Sequence, residues 1–273
     1  MYDSHMHSIH SGDSKMSIDE ICEIAIEKGL KGITVTEHVS IRRYKKGEDY
    51  TRHILNSFAD CKEAAEKYKG VLEVRHGMEL GEYTTNPDIA NDFLNIPDID
   101  LVLGSLHAVR YLHYGNMPVI QIMKQEDFKA EQIEEFLGEY YNQLLEIAKV
   151  ADIDVLAHLT YPLRYACRIF GVSTLPENAF PIICEILKTA VERGIGIEVN
   201  TRSIGKDHNE FVPNEKILAE YKRLGGKLLT LGGDAHSKSE IGNAFAEAKE
   251  MLRSLGFESY YYYDKRKPVE VKL

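Results

Sequence analysis

The chain has 273 residues, of which 44% are hydrophobic and 28% charged, a balance typical of a globular protein with a large core. Its 33 lysines and arginines against 43 aspartates and glutamates give a net charge of −10, which argues against a partner as anionic as nucleic acid or a lipid surface. No apolar run reaches the roughly 18 residues that a membrane-spanning helix needs, so none is predicted.

In chain order, short apolar runs alternate with amphipathic stretches. The first helix begins at Ser17, whose spacing to Glu20 is a capping-box pattern, and Gly29 is a natural stop. The β-branched run 32–37 predicts a buried strand. The same reasoning predicts strands at 2–6, 71–79, 100–105, 155–158, 195–200 and 228–233, and helices at 54–68, 89–95, 130–151, 177–192, 214–224 and 240–255.

Seven strand–helix units follow one another without a proline- or serine-rich linker. Such alternation predicts a parallel α/β sheet, and seven consecutive units favour a closed barrel over an open doubly wound sheet, which is the alternative. We expect one domain spanning residues 1–273. The run from Tyr260 to Tyr263 is expected to form a terminal strand with alternate rings packed, and an aromatic platform for substrate is the second interpretation.

Side chains able to bind a metal recur at the carboxyl-terminal ends of the predicted strands. In a barrel these ends converge on one rim, and side chains two residues apart on a strand, such as His5 and His7, point the same way. The residues placed in this manner are His5, His7, Glu37, His38, Glu79, His107, His158, Glu198, Asp234 and His236.

Imidazole and carboxylate groups together suit Zn²⁺, Mn²⁺ or Fe²⁺ without any thiolate. A single histidine at a strand end is more often a hydrogen-bonded core residue. Six of the eleven histidines share this placement, however, and as a set they indicate a polynuclear metal site. The other five, which we expect to be structural or solvated, are His10, His53, His76, His113 and His208.

Four short segments of this set occur in a characteristic order: His5-Met6-His7, Thr36-Glu37-His38, Ser105-Leu106-His107 and Gly233-Asp234-Ala235-His236. In this order they resemble the motifs of the PHP (polymerase and histidinol phosphatase) superfamily of metal-dependent phosphoesterases, and the resemblance covers essentially the whole chain. It implies a distorted (β/α)7 TIM-like barrel with three divalent metal ions. The implied ligands are His5, His7, Glu79 and Asp234 for the first metal, Glu79, His107 and His158 for the second, and Asp13, His38 and His236 for the third.

Within this superfamily the chain is most similar to the monofunctional histidinol-phosphatase branch, on its length, its His-x-His opening and the segment 198–201. The resemblance implies hydrolysis of L-histidinol phosphate, with phosphate bound by Arg164, in the loop after the fifth strand, and by Arg202. Glu79, Asp234 and His236 are the implied catalytic residues. The segment 104–110 departs from the loop expected there, which leaves other small phosphate esters and mononucleotides open as substrates.

This chemistry suits an acidic chain. Three divalent cations would outweigh the carboxylates of the site and attract a phosphate dianion that the rest of the protein repels. A water that bridges two metals becomes hydroxide near neutral pH, and we expect it to attack phosphorus in line. Two guanidinium groups would match the oxygens of the phosphate.

Two other classes of protein would also explain a histidine-rich rim. An amidohydrolase-type barrel opens with His-x-His as well, but it needs an eighth strand and has no use for Glu37-His38. A non-catalytic metal-binding module is the second alternative, and a complete ligand set argues against it. The four cysteines are scattered and no leader segment is visible, so we expect reduced thiols and a cytoplasmic location.

Overall fold

The computed structural model describes residues 1–45 and 51–273. Its strands are β1 (Tyr2–Asp3), β2 (Gly32–Ser40), β3 (Glu73–Gly81), β4 (Leu101–Ser105), β5 (Ala108–Arg110), β6 (Asn116–Pro118), β7 (Val155–Leu156), β8 (Gly196–Asn200), β9 (Leu229–Gly232), β10 (Ser259–Asp264) and β11 (Lys267–Lys272). Its helices are α1 (Ile18–Glu27), α2 (Arg52–Lys67), α3 (Pro87–Leu94), α4 (Val119–Met123), α5 (Ile133–Val150), α6 (Pro162–Phe170), α7 (Phe180–Arg193), α8 (Glu215–Arg223) and α9 (Phe245–Ser254).

Seven of the described strands form one parallel sheet in the order β1-β2-β3-β4-β7-β8-β9. The two ends of this sheet meet, because the Ser4 N–H donates to the carbonyl of Leu231 and the His7 N–H donates to that of Ala235, each at 2.9 Å. Strand order follows chain order, as in a barrel of successive β/α units. The (β/α)7 barrel is therefore confirmed, and the open sheet is excluded.

The predicted strands are present, but their ends differ. Regular pairing of β1 stops at Asp3, and Met6 forms only an isolated bridge to Ala235. In contrast, β2 and β3 run past their predicted ends to Ser40 and Gly81. The polar residues of β2 and β3 consequently stand on the strands themselves, with His38 paired opposite Glu79 and Glu79 paired with Leu103 on its other side.

The helices follow local signals where those are strong. The Ser17 hydroxyl accepts from the Glu20 N–H at 3.2 Å and the Glu20 carboxylate accepts from the Ser17 N–H at 2.9 Å, so the predicted capping box is confirmed. The short helices α4 and α6 and the hairpin of β5 and β6 were not predicted. Helix α6 corrects one prediction: Arg164 lies in its first turn, not in a loop, since Pro162 begins the helix at a position where a missing N–H costs nothing.

The helices bury apolar side chains such as Ile21 of α1, Tyr140 and Leu144 of α5 and Ile186 of α7 against the barrel. This burial is the main stabilising term of the fold. Among the described residues, no helix combines the length and the apolar character needed to cross a lipid bilayer.

The hairpin of β10 and β11 covers the rim at which the parallel strands begin. The Tyr260 hydroxyl accepts from the Tyr2 N–H at 3.2 Å, and the Tyr263 hydroxyl donates to the Asp154 carbonyl at 3.2 Å. The terminal strand is thus confirmed, but its buried rings are Tyr260 and Tyr263, and the Tyr262 ring stacks on Tyr2 with centroids 4.1 Å apart. These tyrosines lie at the opposite rim from the predicted metal ligands, so the substrate-platform interpretation is wrong.

Candidate active site

The buried carboxylate of Glu79, on β3, lies at the centre of a group of imidazoles. Nitrogens of five rings surround its oxygens: His38 at 2.6 Å, His158 at 2.7 Å, His107 at 3.0 Å, His5 at 3.6 Å and His7 at 3.7 Å. Burial alone would raise the pKa of Glu79, but His107 and His38 hold that pKa well below its ordinary value. The carboxylate is therefore ionised at the point where the predicted ligands converge.

A second buried carboxylate, Asp234, follows β9. Its Oδ2 accepts from Arg164 Nη1 at 2.9 Å and from Asn200 Nδ2 at 3.2 Å, and its Oδ1 accepts from Arg202 Nη1 at 3.0 Å. Burial opposes ionisation, yet Arg202, His5 and Arg164 hold the pKa of Asp234 well below its ordinary value. Both arginines predicted to bind phosphate thus contact a carboxylate predicted to bind metal.

Asp13 lies at the outer edge of the cluster with its side chain half exposed. Its Oδ2 is 3.2 Å from His38 Nε2 and 3.3 Å from His236 Nε2. Burial works against ionisation of Asp13, but hydrogen bonds from these two histidines keep its pKa well below the usual value. Deeper in the site, burial and the neighbouring rings His38 and His236 keep the pKa of His7 well below its ordinary value, so that His7 is neutral.

The spacing of the rings fits divalent cations. Three pairs of imidazoles bring their Nε2 atoms together: His5 and His7 at 3.1 Å, His107 and His158 at 3.2 Å, and His38 and His236 at 3.3 Å. Two nitrogens bound to one tetrahedral Zn²⁺ at about 2.1 Å would lie about 3.4 Å apart. In addition, the buried Oε2 of Glu79 lies 2.6 Å from His38 Nδ1 and 3.6 and 3.7 Å from the Nε2 atoms of His5 and His7. Carboxylate and imidazole atoms this close together form a donor set that suits a divalent cation.

Eight of the nine predicted ligands fall into four groups whose ligand atoms lie within 4.8 Å of one another. These groups are His5, His7 and Asp234; His5, Glu79 and His158; His38, Glu79 and His107; and His7, His38 and His236. The ninth predicted ligand, Asp13, contacts two members of the last group. The fold thus brings together side chains that are more than 200 residues apart in sequence.

Glu198 on β8, which the sequence analysis places at the rim without a ligand role, contacts the His5 ring and the His158 backbone. Its Oε1 lies 2.6 Å from His5 Nδ1, and its Oε2 accepts from the His158 N–H at 2.7 Å. A Cβ at Gly232 would lie 2.0 Å from Glu198 Oε1, so only glycine leaves room for this carboxylate. The available signal was a carboxylate inside an otherwise apolar strand.

Glu37, part of the second motif, points away from the cluster. Its Oε1 accepts from Ser57 Oγ at 3.0 Å, and its Oε2 accepts from the Ser11 hydroxyl. Ser11 Oγ in turn lies 3.1 Å from His7 Nδ1 and accepts from the His38 N–H at 3.0 Å. With Nδ1 engaged in this way, the His7 ring presents Nε2 to the cluster.

A cleft of about 660 Å³ opens onto the cluster. Glu79, Asp234 and His236 line it, and so does Arg202. The ring of Tyr161, which forms one wall, lies with its centroid 5.0 Å from that of His107. The cleft therefore gives a small molecule direct access to the predicted catalytic residues.

Comparison with known proteins agrees with this arrangement. A family model described as the PHP domain matches residues 3–202. The chain belongs to the PHP domain family. The match ends before Asp234 and His236, but relatives extend the similarity of this PHP protein across them.

Two such relatives are a probable histidinol-phosphatase of Clostridium acetobutylicum, 30% identical with 96% of each chain covered, and a histidinol-phosphatase of Lactococcus lactis, 26% identical with 93% of this chain and 91% of the relative covered. Among solved structures, the crystal structure of histidinol phosphate phosphatase from Lactococcus lactis, complexed with zinc, L-histidinol and phosphate, has a TM-score of 0.80 to this PHP protein. It is 22% identical and covers 98% of each chain. That likeness supports the barrel fold.

Proposed function

We propose that this PHP protein is a metal-dependent phosphomonoesterase that hydrolyses L-histidinol phosphate to L-histidinol and phosphate. The observation that carries the proposal is the convergence of five imidazoles on Glu79 at the floor of an open cleft. The full-length similarity to proteins named histidinol-phosphatase supports the choice of substrate.

The ligand sets that we propose are those implied by the motifs. His5, His7, Glu79 and Asp234 would hold one cation, Glu79, His107 and His158 a second, and Asp13, His38 and His236 a third. The nitrogen spacings and the ring nitrogens grouped around the Glu79 carboxylate support cations of the Zn²⁺, Mn²⁺ or Fe²⁺ type. Bound there, such cations supply Lewis acidity, which lowers the pKa of water and offsets the charge of a phosphate ester.

The remaining chemistry belongs to the side chains of the chain itself. Arg202 lines the cleft, whereas Arg164 reaches Asp234 from the adjoining cavity. We propose that both bind phosphate oxygens beside Asp234 and fix the orientation of the ester. Glu79, Asp234 and His236 are the proposed catalytic residues because all three face the cleft.

We also propose that residues 1–273 form one domain. The hydrogen bond between the first strand and Tyr260 supports this, because it ties the C-terminal hairpin to the barrel.

A phosphate-release panel tests the function. The protein loaded with Zn²⁺ or Mn²⁺ is assayed with histidinol phosphate, mononucleotides and sugar phosphates, before and after treatment with a chelator. We expect kcat/KM for histidinol phosphate to exceed the others by at least about tenfold, and the chelator to abolish turnover and lower Tm. A higher kcat/KM for a mononucleotide would show that the substrate is a nucleotide and not histidinol phosphate. Absence of phosphate release from every ester would refute the proposal.

Replacing Arg202 with Ala is expected to raise KM for histidinol phosphate about tenfold or more with a smaller change in kcat, since a charge-assisted hydrogen bond to the ester is lost. Arg202→Lys keeps the positive charge but loses the planar guanidinium that can donate two hydrogen bonds at once. Its KM should therefore lie between that of the unsubstituted protein and that of Arg202→Ala. Steady-state kinetics of all three proteins measure this. An unchanged KM in Arg202→Ala would remove Arg202 from the phosphate site.

Glu198→Gln is expected to weaken metal binding about 10- to 100-fold while the protein stays folded, because the His5 and His158 segments lose the carboxylate that orients them. Titration of the metal-free protein with Zn²⁺ measures the change, which activity at saturating metal would conceal. Glu258→Gln, an exposed substitution near the opposite rim, is the control. Equal Zn²⁺ affinity in both variants would show that Glu198 has no such role.

A further inference from the structure

A second, smaller cavity lies beside the active-site cleft. It has a volume of about 190 Å³ and shares Tyr165 and Arg202 with the cleft. We call it the side pocket and define it by six of its residues: Arg164, Arg168, Arg202, Ser203, Lys206 and His208. Its size is below the roughly 300 to 1,000 Å³ of pockets for drug-sized ligands, so it suits a small ion.

Cationic side chains dominate the side pocket. Arg164 and Arg202 reach it from the side of Asp234, and Lys206 pairs with Glu240 at 2.5 Å, but neither of these carboxylates lines the cavity. The described lining includes one carboxylate residue, Asp207. Arg168, at the end of α6, lies with its guanidinium carbon 5.5 Å from the centre of the Tyr165 ring. The lining therefore attracts anions.

Three residues of the side pocket carry a buried polar atom that lacks a hydrogen-bond partner among the described residues. These atoms are Nε of Arg164, Oγ of Ser203 and Nδ1 of His208. Ser203 is 3% exposed and His208 is 7% exposed, so bulk water does not satisfy them. Unpaired buried polar groups are costly. Nε of Arg164 and Oγ of Ser203 are donors, and Nδ1 of His208 donates in one of its two neutral tautomers, so this cationic cavity can offer hydrogen bonds to an oxyanion.

We propose that the side pocket is a second binding site for inorganic phosphate, separate from the metal cluster. The choice of phosphate among small oxyanions rests on the proposed function, because phosphate is the product of that reaction. Histidinol carries an ammonium group, which this lining repels, so the pocket accepts the anionic product and not the alcohol. Arg202 lines both the side pocket and the cleft, so phosphate bound in the side pocket competes with substrate in the cleft for the Arg202 guanidinium.

Equilibrium dialysis of the metal-loaded protein against radiolabelled inorganic phosphate tests the proposal by counting sites. Arg168→Ala and Ser203→Ala alter the side pocket without touching the cleft. We expect each to weaken one phosphate site by about tenfold or more, relative to the unsubstituted protein. Arg253→Ala is the matched control, since Arg253 also occupies the last turn of a helix, α9, and should leave the count unchanged.

A second readout separates binding from folding. Because Ser203 Oγ makes no hydrogen bond within the described part of the chain, Ser203→Ala should not lower Tm in phosphate-free buffer, but it should reduce the rise in Tm that phosphate produces. An identical number and affinity of phosphate sites in all four proteins would overturn the proposal. If only the proposed function fails, no protein will show a phosphate site that depends on metal. The side-pocket site will still be present in the unsubstituted protein and in Arg253→Ala, and weakened in Arg168→Ala and Ser203→Ala.

Discussion

Replacing Glu79 with Gln is expected to lower kcat/KM for histidinol phosphate by about 10³-fold or more, on the scale seen when a principal charged group is removed from a catalytic centre. The substitution keeps the shape of the side chain but removes the negative charge that five imidazoles surround. Its amide nitrogen would also face ring nitrogens where a carboxylate oxygen now lies. We expect metal content, measured by elemental analysis, to fall together with activity.

Glu73→Gln is the matched control for this variant. Glu73 begins the same strand at the opposite rim, with its side chain 49% exposed. It accepts from the Tyr2 hydroxyl at 2.9 Å, an interaction that glutamine can keep. Activity and metal content of Glu73→Gln should therefore match the unsubstituted protein, and circular dichroism should show both variants folded. Full metal content and turnover in Glu79→Gln would contradict the proposed centre.

The barrel and the rim positions of most of the predicted ligands could be predicted because both follow from local patterns, whereas Asp13 was implied only by the resemblance to the PHP superfamily. Apolar runs alternate with amphipathic stretches, and parallel strands must place their carboxyl ends at one rim whatever the details of packing. His5 and His7 face the same way because side chains alternate along an extended chain. No long-range information was needed to expect that these histidines would meet Asp234.

The partners of these side chains could not be predicted, because they depend on tertiary contacts between distant segments. Nothing in the sequence near Glu198 shows that Gly232 leaves space for its carboxylate. Likewise, Glu37 stands next to His38, but the strand alternation turns it toward Ser11 and away from the cluster. The sequence predicts a loop at Arg164 because a nine-residue helix such as α6 gives only a weak periodic signal.

The surroundings of His208 likewise could not be predicted from the sequence. A lone histidine in a turn is most often structural or solvated, and its sequence neighbours do not distinguish these states. Only the folded chain brings His208 beside Arg168 and Ser203, where its Nδ1 has no hydrogen-bond partner in residues 1–45 and 51–273. The sequence therefore does not predict the side pocket, since its residues come from two separate segments and share no motif or regular spacing.

Asp234→Asn is expected to lower kcat by about 10²- to 10³-fold even at saturating substrate. The backbone of Asp234 has φ +49°, a left-handed conformation that asparagine tolerates well, so the substitution should not disturb the turn after β9. What it removes is the charge shared by Arg164, Arg202 and the proposed first cation. At least one donor around the side chain then faces the new amide nitrogen and loses its acceptor.

Asp98→Asn provides the same chemical change in a matched backbone, since Asp98 has φ +66° and its side chain is 63% exposed. Its activity should be unaltered, as its ion pair with Lys62 at 3.4 Å lies on the surface. Steady-state kinetics and metal analysis of both variants check the expectation.

The comparison with Arg202→Ala then separates the two roles that meet at Asp234. If Asp234 only held the arginines in place, its removal would raise KM and leave kcat nearly intact, as expected for Arg202→Ala. If it also binds a cation, kcat must fall and metal content must decrease, because no other carboxylate among the described residues contacts both His5 and His7 except Glu79. A purified Asp234→Asn variant with full metal content and a change in KM alone would therefore exclude Asp234 as a metal ligand. It would leave intact the proposal that Arg164 and Arg202 bind phosphate.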